Sequence, residues 1–243
     1  MKKIRYIIIS MFILFVSCKK ETSTLKLEIL SFADGEMIPD KYVLCVPDEI
    51  GKFEFSENIN PHVRWYGIPP RTKSLALFFV DLDRPKNLRS VNVQTKKIPE
   101  DAPRTEFYHW VIIDIPLVIN EIPEAVDSKE IVKGGKQVGK TPYGVRGLND
   151  YTSWFRGDAI MGGHYAGYDG PCPPWNDEKI HRYVFRLYAL NVAELGLGGR
   201  FSPEQALEAM EGHIIAKAEW TGRYTANSDL RKNLAQKPNP DSR

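Results

Sequence analysis

Three runs of nearly continuous apolar residues set the pattern of this chain. They are Ser74–Asp81 (SLALFFVD), His109–Ile115 (HWVIIDI) and Arg182–Leu190 (RYVFRLYAL). Each has strand length, and each predicts a strand covered on both faces rather than half-buried. Leu25–Phe32 instead alternates, with Leu25, Leu27 and Ile29 against Lys26 and Glu28, as expected for a strand with one wet face. Val63–Trp65 predicts a short strand and Ile214–Tyr224 a last one. The one strong helix signal is Ser202-Pro203-Glu204-Gln205: Ser202 can cap, Pro203 suits the first helical position and Gln205 can close a capping box. Ala206, Leu207 and Met210 would give it an apolar face and Gly212 an end. Val192–Leu195 is read as a short helical turn. Residues 84–108 and 133–180 are long irregular stretches, a feature that points to function inside a compact domain. Strands joined by long loops, with one good late helix, predict a mainly β fold: an antiparallel β-sandwich with a few peripheral helices.

The two ends depart from this pattern. Lys2, Lys3 and Arg5 precede an apolar run from Ile7 to Val16 that only Ser10 interrupts. This is the layout of a secretory signal, and it is short of the roughly 20 residues of a membrane span. Phe15-Val16-Ser17-Cys18 resembles a bacterial lipobox, in which the cysteine is acylated and becomes the mature N-terminus. The chain therefore divides into a lipoprotein signal peptide (1–17), a tether (18–24), a domain (25–225) and a flexible C-terminal tail (226–243). A plain signal peptide cut near Cys18, or an uncleaved anchor, is the alternative. A lipid on Cys18 would hold the protein to a membrane in the cell envelope, outside the cytoplasm, without spanning it.

Loss of Lys2, Lys3 and Arg5 takes 33 basic residues to 30, against 31 acidic ones. The mature chain is then near neutral, and no basic stripe with interleaved aromatics suggests nucleic acid. Cys45 and Cys172 form a possible disulfide in an exported chain, with two separate thiols as the other reading.

Familiar catalytic patterns are missing. The sequence has no G-x-S-x-G, no H-E-x-x-H, no P-loop, no G-x-G-x-x-G and no C-x-x-C pair for zinc. No cofactor or metal is expected. Three local groups remain, each at the end of an apolar run: Asp81-Leu82-Asp83-Arg84-Pro85, His109-Trp110, and Gly170-Pro171-Cys172-Pro173-Pro174 followed by His181-Arg182-Tyr183. Taken singly, these are an ordinary turn, a core histidine and a stiff loop.

In this order and spacing the groups resemble the phosphatidylethanolamine-binding protein (PEBP) family in its bacterial form. The resemblance runs from about Leu25 to Tyr224. It also takes in Asn60-Pro61-His62-Val63-Arg64-Trp65, Ile68-Pro69-Pro70-Arg71-Thr72-Lys73-Ser74-Leu75 and Tyr168-Asp169. It implies a β-sandwich with an anion pocket at one end. Asp81 and Asp83 match the acidic residues of the family's D-P-D-x-P motif, and His109 its pocket histidine. His181 and Tyr183 match the H-R-Y motif, and the turn holding Gly170, Pro173 and Pro174 matches one pocket wall. Leu82 replaces the motif's proline, which would loosen that turn. Residues Ser90–Thr105 look longer than in minimal members, which would alter the rim.

Two histidines charged by neighbouring carboxylates, with the Tyr183 hydroxyl and backbone N–H groups, could hold a phosphate or carboxylate. The implied ligand is an anionic small molecule or a phospholipid head group, with a regulatory use. Eukaryotic relatives link the pocket to control of kinases; a protein partner for this chain is unknown. Two other readings stay open. One is a hydrolase using Asp81, His109 and His181, with Ser153 or Cys172 as nucleophile. The other is an envelope scaffold in which the pocket is vestigial.

Overall fold

The structure is a computed structural model that describes residues 24–236. The expected leader, Cys18 and residues 237–243 lie outside the described residues. The chain opens with β1 (Lys26–Ile29), β2 (Cys45–Val46), β3 (Glu54–Phe55) and β4 (Val63–Tyr66). Two long strands follow, β5 (Ser74–Pro85) and β6 (Arg104–Ile115). Next come β7 (Glu121–Ile122), β8 (Gly139–Thr141), β9 (Gly144–Arg146) and the single-turn helix α1 (Tyr151–Trp154). Then come β10 (His181–Leu190), α2 (Pro203–Met210), β11 (Ile214–Tyr224) and α3 (Ser228–Gln236).

The main sheet has the order β11-β10-β5-β6-β9-β8, a second sheet the order β1-β4-β7, and β2 and β3 form a small ribbon. The named strands pair antiparallel throughout. The mainly β, antiparallel expectation is thus met, and the reason for the three apolar runs is visible. They are β5, β6 and β10, the centre of the main sheet. Leu75, Leu77, Phe79, Trp110 and Phe185 face inward against Leu27, Val63 and Trp65 of the second sheet. Ala76, Phe78, Val80, Val111 and Ile113 face the other way, against Phe201 and the α2 residues Ala206 and Met210. Both faces are covered, so no alternation survives. Each large apolar side chain so buried stabilises the fold by about 1.5–3 kcal/mol. The α2 cap forms as expected: Ser202 Oγ accepts from Gln205 N, and Ser202 N donates to Gln205 Oε1.

Three expectations need correction. Within the described part of the expected flexible tail, residues 228–236 form the helix α3. Its Arg231 reaches Asp40 at 2.7 Å and bonds the Tyr224 hydroxyl at 3.1 Å, giving a polar segment a place to dock. Val192–Leu195 is a bend rather than a helical turn; Ser74 Oγ captures the Val192 carbonyl and Asp114 Oδ1 the Leu195 N–H. β5 does not stop at Asp81. It continues to Pro85, and β6 begins at Arg104 to match it, so the loop between them is shorter than expected.

The β5–β6 pairing carries two irregularities close to this end. The β5–β6 register shifts between Phe79 and Val80, which leaves His109 as an extra residue in β6. It shifts again between Asp81 and Arg84, where β5 holds the extra residue. Such bulges turn side chains that regular alternation would send to opposite faces. Leu82, at the position of the motif's proline, stays extended within β5 and packs on the α2 side.

Candidate functional site

The bulged ends of β5 and β6, the start of β10 and the 168–174 turn meet at one end of the main sheet. Asp81, Arg84, Phe107, His109, Tyr151, Trp154, Cys172, Pro173, Pro174 and His181 line a cleft there, with Pro85, Leu88 and Val91 at its rim. The cavity volume is about 30 Å³, room for a small polar group rather than a whole lipid.

His181 is fully buried and clamped on both ring nitrogens. Nδ1 lies 2.8 Å from Asp81 Oδ2, and Nε2 lies 3.1 Å from Asp177 Oδ2. Burial alone would depress its pKa, but the two carboxylates outweigh it and raise it to about 9. His181 is therefore an imidazolium at neutral pH, with both N–H donors spent inside the protein. Asp177 in turn accepts a two-pronged bond from Arg104, at 2.5 and 3.0 Å. The second oxygen of Asp81 accepts from Asp83 N at 2.7 Å.

His109 is the opposite case. Its Nδ1 lies 2.8 Å from the Asp169 carbonyl oxygen, which can only accept, so Nδ1 carries the ring proton. Its Nε2 is buried and has no hydrogen-bond partner. Phe79, Phe107, Tyr151 and Tyr183 surround the ring at 5.0–5.5 Å between centroids. That burial lowers its pKa to about 4, against the opposing pull of Asp81. The expectation of two charged histidines is corrected: only His181 is charged at neutral pH, because two carboxylates bond it, whereas His109 meets only backbone carbonyls and aromatic rings.

The turn behind His109 is fixed by a buried polar network. The Asp169 carboxylate accepts from Lys136 at 2.6 Å, Asn149 at 2.8 Å and Asn58 at 2.9 Å. Gly170 N donates to Asn58 Oδ1, and Gly170 O accepts from the Tyr151 hydroxyl. A Cβ at Gly170 would meet the Tyr42 carbonyl oxygen at 2.3 Å, so only glycine lets the two backbones approach. Cys45 and Cys172 are disulfide-bonded, tying β2 to this turn across 127 residues of sequence.

The expected site residues thus separate. Asp81, His109, Pro173, Pro174 and His181 line the cleft. Gly170, Tyr183 and Asp83 stand behind it. Tyr183 is fully buried beside Asp81, and its hydroxyl closes no hydrogen bond of ordinary length. Asp83 is taken up by Arg182, whose Nε and backbone N each donate at 2.9 Å and whose Nη2 donates at 3.0 Å. The long 86–103 segment does reach the rim, through Leu88 and Val91. Asn176 pins it by donating to the carbonyls of Ser90, Val93 and Lys96.

Arg84 was missed as a site residue. Its guanidinium lies over the Phe107 and Trp154 rings, at 5.6 and 5.8 Å. No carboxylate of the described residues forms an ion pair with it, and its Nε is buried without a partner. Burial lowers its pKa, while Asp150 and Asp81 act from further off to keep it charged. The signal available was a charged residue inside the quoted D-L-D-R-P group at a strand end. Among the described residues, no cluster of three or more His, Cys, Asp or Glu side chains is arranged to hold a metal ion.

Comparison with known proteins identifies the family. A family model described as phosphatidylethanolamine-binding protein matches residues 28–225. A UPF0098 protein of Methanothermobacter thermautotrophicus is 34% identical over 201 residues, covering 82% of this chain and 98% of its own. A UPF0098 protein of Aquifex aeolicus is 32% identical over 194 residues, covering 80% and 84%. A putative phosphatidylethanolamine-binding protein homolog from Chlamydia trachomatis is similar in structure, with a TM-score of 0.57 and 28% identity over 84% of this chain and 98% of that one. YbcL of E. coli, at 24% identity and a TM-score of 0.59, covers 83% and 98% and shares the fold. With the domain matched almost end to end, the chain belongs to the phosphatidylethanolamine-binding protein family.

Proposed function

We propose that this chain is an exported, lipid-anchored binding protein whose cleft receives a small anionic group, a phosphate or a phospholipid head group. The observation that carries the reading is Arg84. The other cations at the cleft are neutralised: His181 by Asp81 and Asp177, Arg104 by Asp177, Arg182 by Asp83. Arg84 alone presents a half-buried guanidinium without an ion-pair partner among the described residues, its Nε buried and unbonded. Guanidinium donors suit planar and tetrahedral oxyanions, and bonds to charged groups are about twice as strong as neutral ones.

Arg84→Met in the full-length protein is expected to weaken binding of inorganic phosphate by at least about tenfold, the size of one lost charged hydrogen bond. Stability should change by less than about 1 kcal/mol, since an unpaired charge is being removed from a partly buried place. Calorimetry and urea unfolding read the two effects separately. Undiminished affinity in the variant, or no phosphate binding by the parent, would defeat the proposal.

A binding role is favoured over a hydrolase by the state of the two candidate nucleophiles. The Ser153 hydroxyl donates to Asp150 O at 2.9 Å, and the Cys172 sulfur is in a disulfide. Export is supported by that same disulfide, a bond that oxidising compartments preserve. Acylation at Cys18 predicts that radiolabelled palmitate is incorporated into the parent and not into Cys18→Ser. Equal labelling of the two would remove the anchor from the proposal.

A further inference from the structure

The cleft has two unmatched polar groups, and they want opposite things. Arg84 is a donor lacking an acceptor. His109 Nε2 is a lone pair lacking a donor. The tautomer is set by geometry, because Nδ1 must donate to the Asp169 carbonyl at 2.8 Å. The ring is 2% exposed, packed against aromatic side chains and part of the cleft wall, so a group seated in the cleft can supply the missing donor. The charged or titratable groups around it are Asp81 on β5, His181 and Tyr183 on β10 and Tyr151 on α1. Asp81 and His181 are bonded to one another. The Tyr151 hydroxyl is committed to Gly170 O, and the Tyr183 hydroxyl faces Asp81.

From this we infer that the cleft selects an oxyanion that carries its own proton: a singly protonated phosphate, or a phosphomonoester, whose P–OH donates to His109 Nε2 while its charged oxygens face Arg84. The inference rests on the anion-pocket reading and narrows it. A fully ionised tetrahedral anion would set an oxygen lone pair against the Nε2 lone pair and leave both unsatisfied in a desolvated place. A phosphodiester, the linkage of ordinary phospholipid head groups, has no such proton. The cavity of about 30 Å³ holds a compact group of this kind, with any ester substituent toward the open mouth.

Methyl phosphate and methyl sulfate make the test. At about pH 5 both are monoanions of nearly the same size, since the second phosphate proton leaves near pH 6. They differ in one proton. Calorimetry on the full-length protein is expected to show methyl phosphate bound at least about tenfold more tightly, the usual consequence of leaving a buried acceptor unpaired. Imidazole ¹⁵N spectra should show the unprotonated His109 nitrogen shifting with methyl phosphate and not with methyl sulfate.

Equal or tighter binding of methyl sulfate would overturn the inference while leaving an anion pocket standing. A preference without a shift at His109 would overturn its assignment to that residue. If neither anion binds, the pocket reading itself fails. Inorganic phosphate and dihexanoyl phosphatidic acid, titrated in parallel, separate a free-phosphate source from a lipid monoester.

Discussion

His181→Ala is expected to cost about 3–5 kcal/mol of folding stability, the usual penalty for removing one member of a buried charge cluster. The size follows from what is left behind. Asp81 and Asp177 are 4% and 1% exposed, and each gives one oxygen to the imidazolium. Arg104 would still hold Asp177, but Asp81 would keep only neutral donors, the Asp83 N–H and the facing Tyr183 hydroxyl. A buried carboxylate that has lost its cation is poorly compensated by neutral donors alone. The residue that looks like a ligand-binding histidine is thus expected to behave as a structural one. Urea unfolding is the measurement, and a loss under about 1 kcal/mol would contradict the clamp.

The same clamp sets a pH dependence. The folded pKa of His181 is about 9 against an ordinary 6.5. A raised pKa means that the folded state holds the proton more tightly, so the contribution is complete below about pH 6.5 and is lost as pH rises through about 9. A gap of this size corresponds to roughly 3 kcal/mol. Stability of the parent should therefore fall between pH 6.5 and 9.5, and this part of the slope should vanish in His181→Ala.

Removal of the Cys45–Cys172 disulfide is expected to cost a comparable amount, roughly 2–5 kcal/mol. The bridge closes a loop across 127 residues, so in the chain-entropy account it restrains the unfolded chain strongly. It also has a local role. Leu44 N and Cys45 N both donate to Pro171 O, at 2.8 and 3.3 Å, and Cys172 itself lines the cleft. The double variant Cys45→Ser, Cys172→Ser should lower the unfolding midpoint and weaken phosphate binding together, as the 170–174 wall loses its tie to β2. Reduction of the parent should do the same. An unchanged midpoint in reducing buffer would mean that the backbone bonds suffice.

Much of the architecture was legible as pattern. The runs at 74–81, 109–115 and 182–190 had the length and composition of central strands, and they are the centre of the main sheet. The α2 cap was readable because a capping box is a local device, complete within four residues. The short strands β2, β3 and β7–β9 were not readable. At two or three residues they have no periodicity, and long-range pairing alone defines them. The order of motifs also placed Asp81, His109, Pro173, Pro174 and His181 at one site, where they are found.

What each site residue does was a different matter. Alternation puts residues three apart in a strand on opposite faces, so nothing in Asp81-Leu82-Asp83-Arg84 suggested that Asp81 and Arg84 share a cleft. The bulge between them decides that, and it exists because β5 and β6 pair with one residue out of step. Both histidines looked able to carry charge. Contact with two carboxylates made one a cation at neutral pH, and a ring of aromatic side chains with only backbone carbonyls made the other a neutral acceptor. By itself, then, the sequence determined the long strands, the family and most of the residues that meet at the cleft. Only the tertiary structure decided their protonation, their free valences and the direction of Arg84. Those properties depend on the few ångströms between side chains distant in sequence, where burial and one hydrogen bond can move a proton.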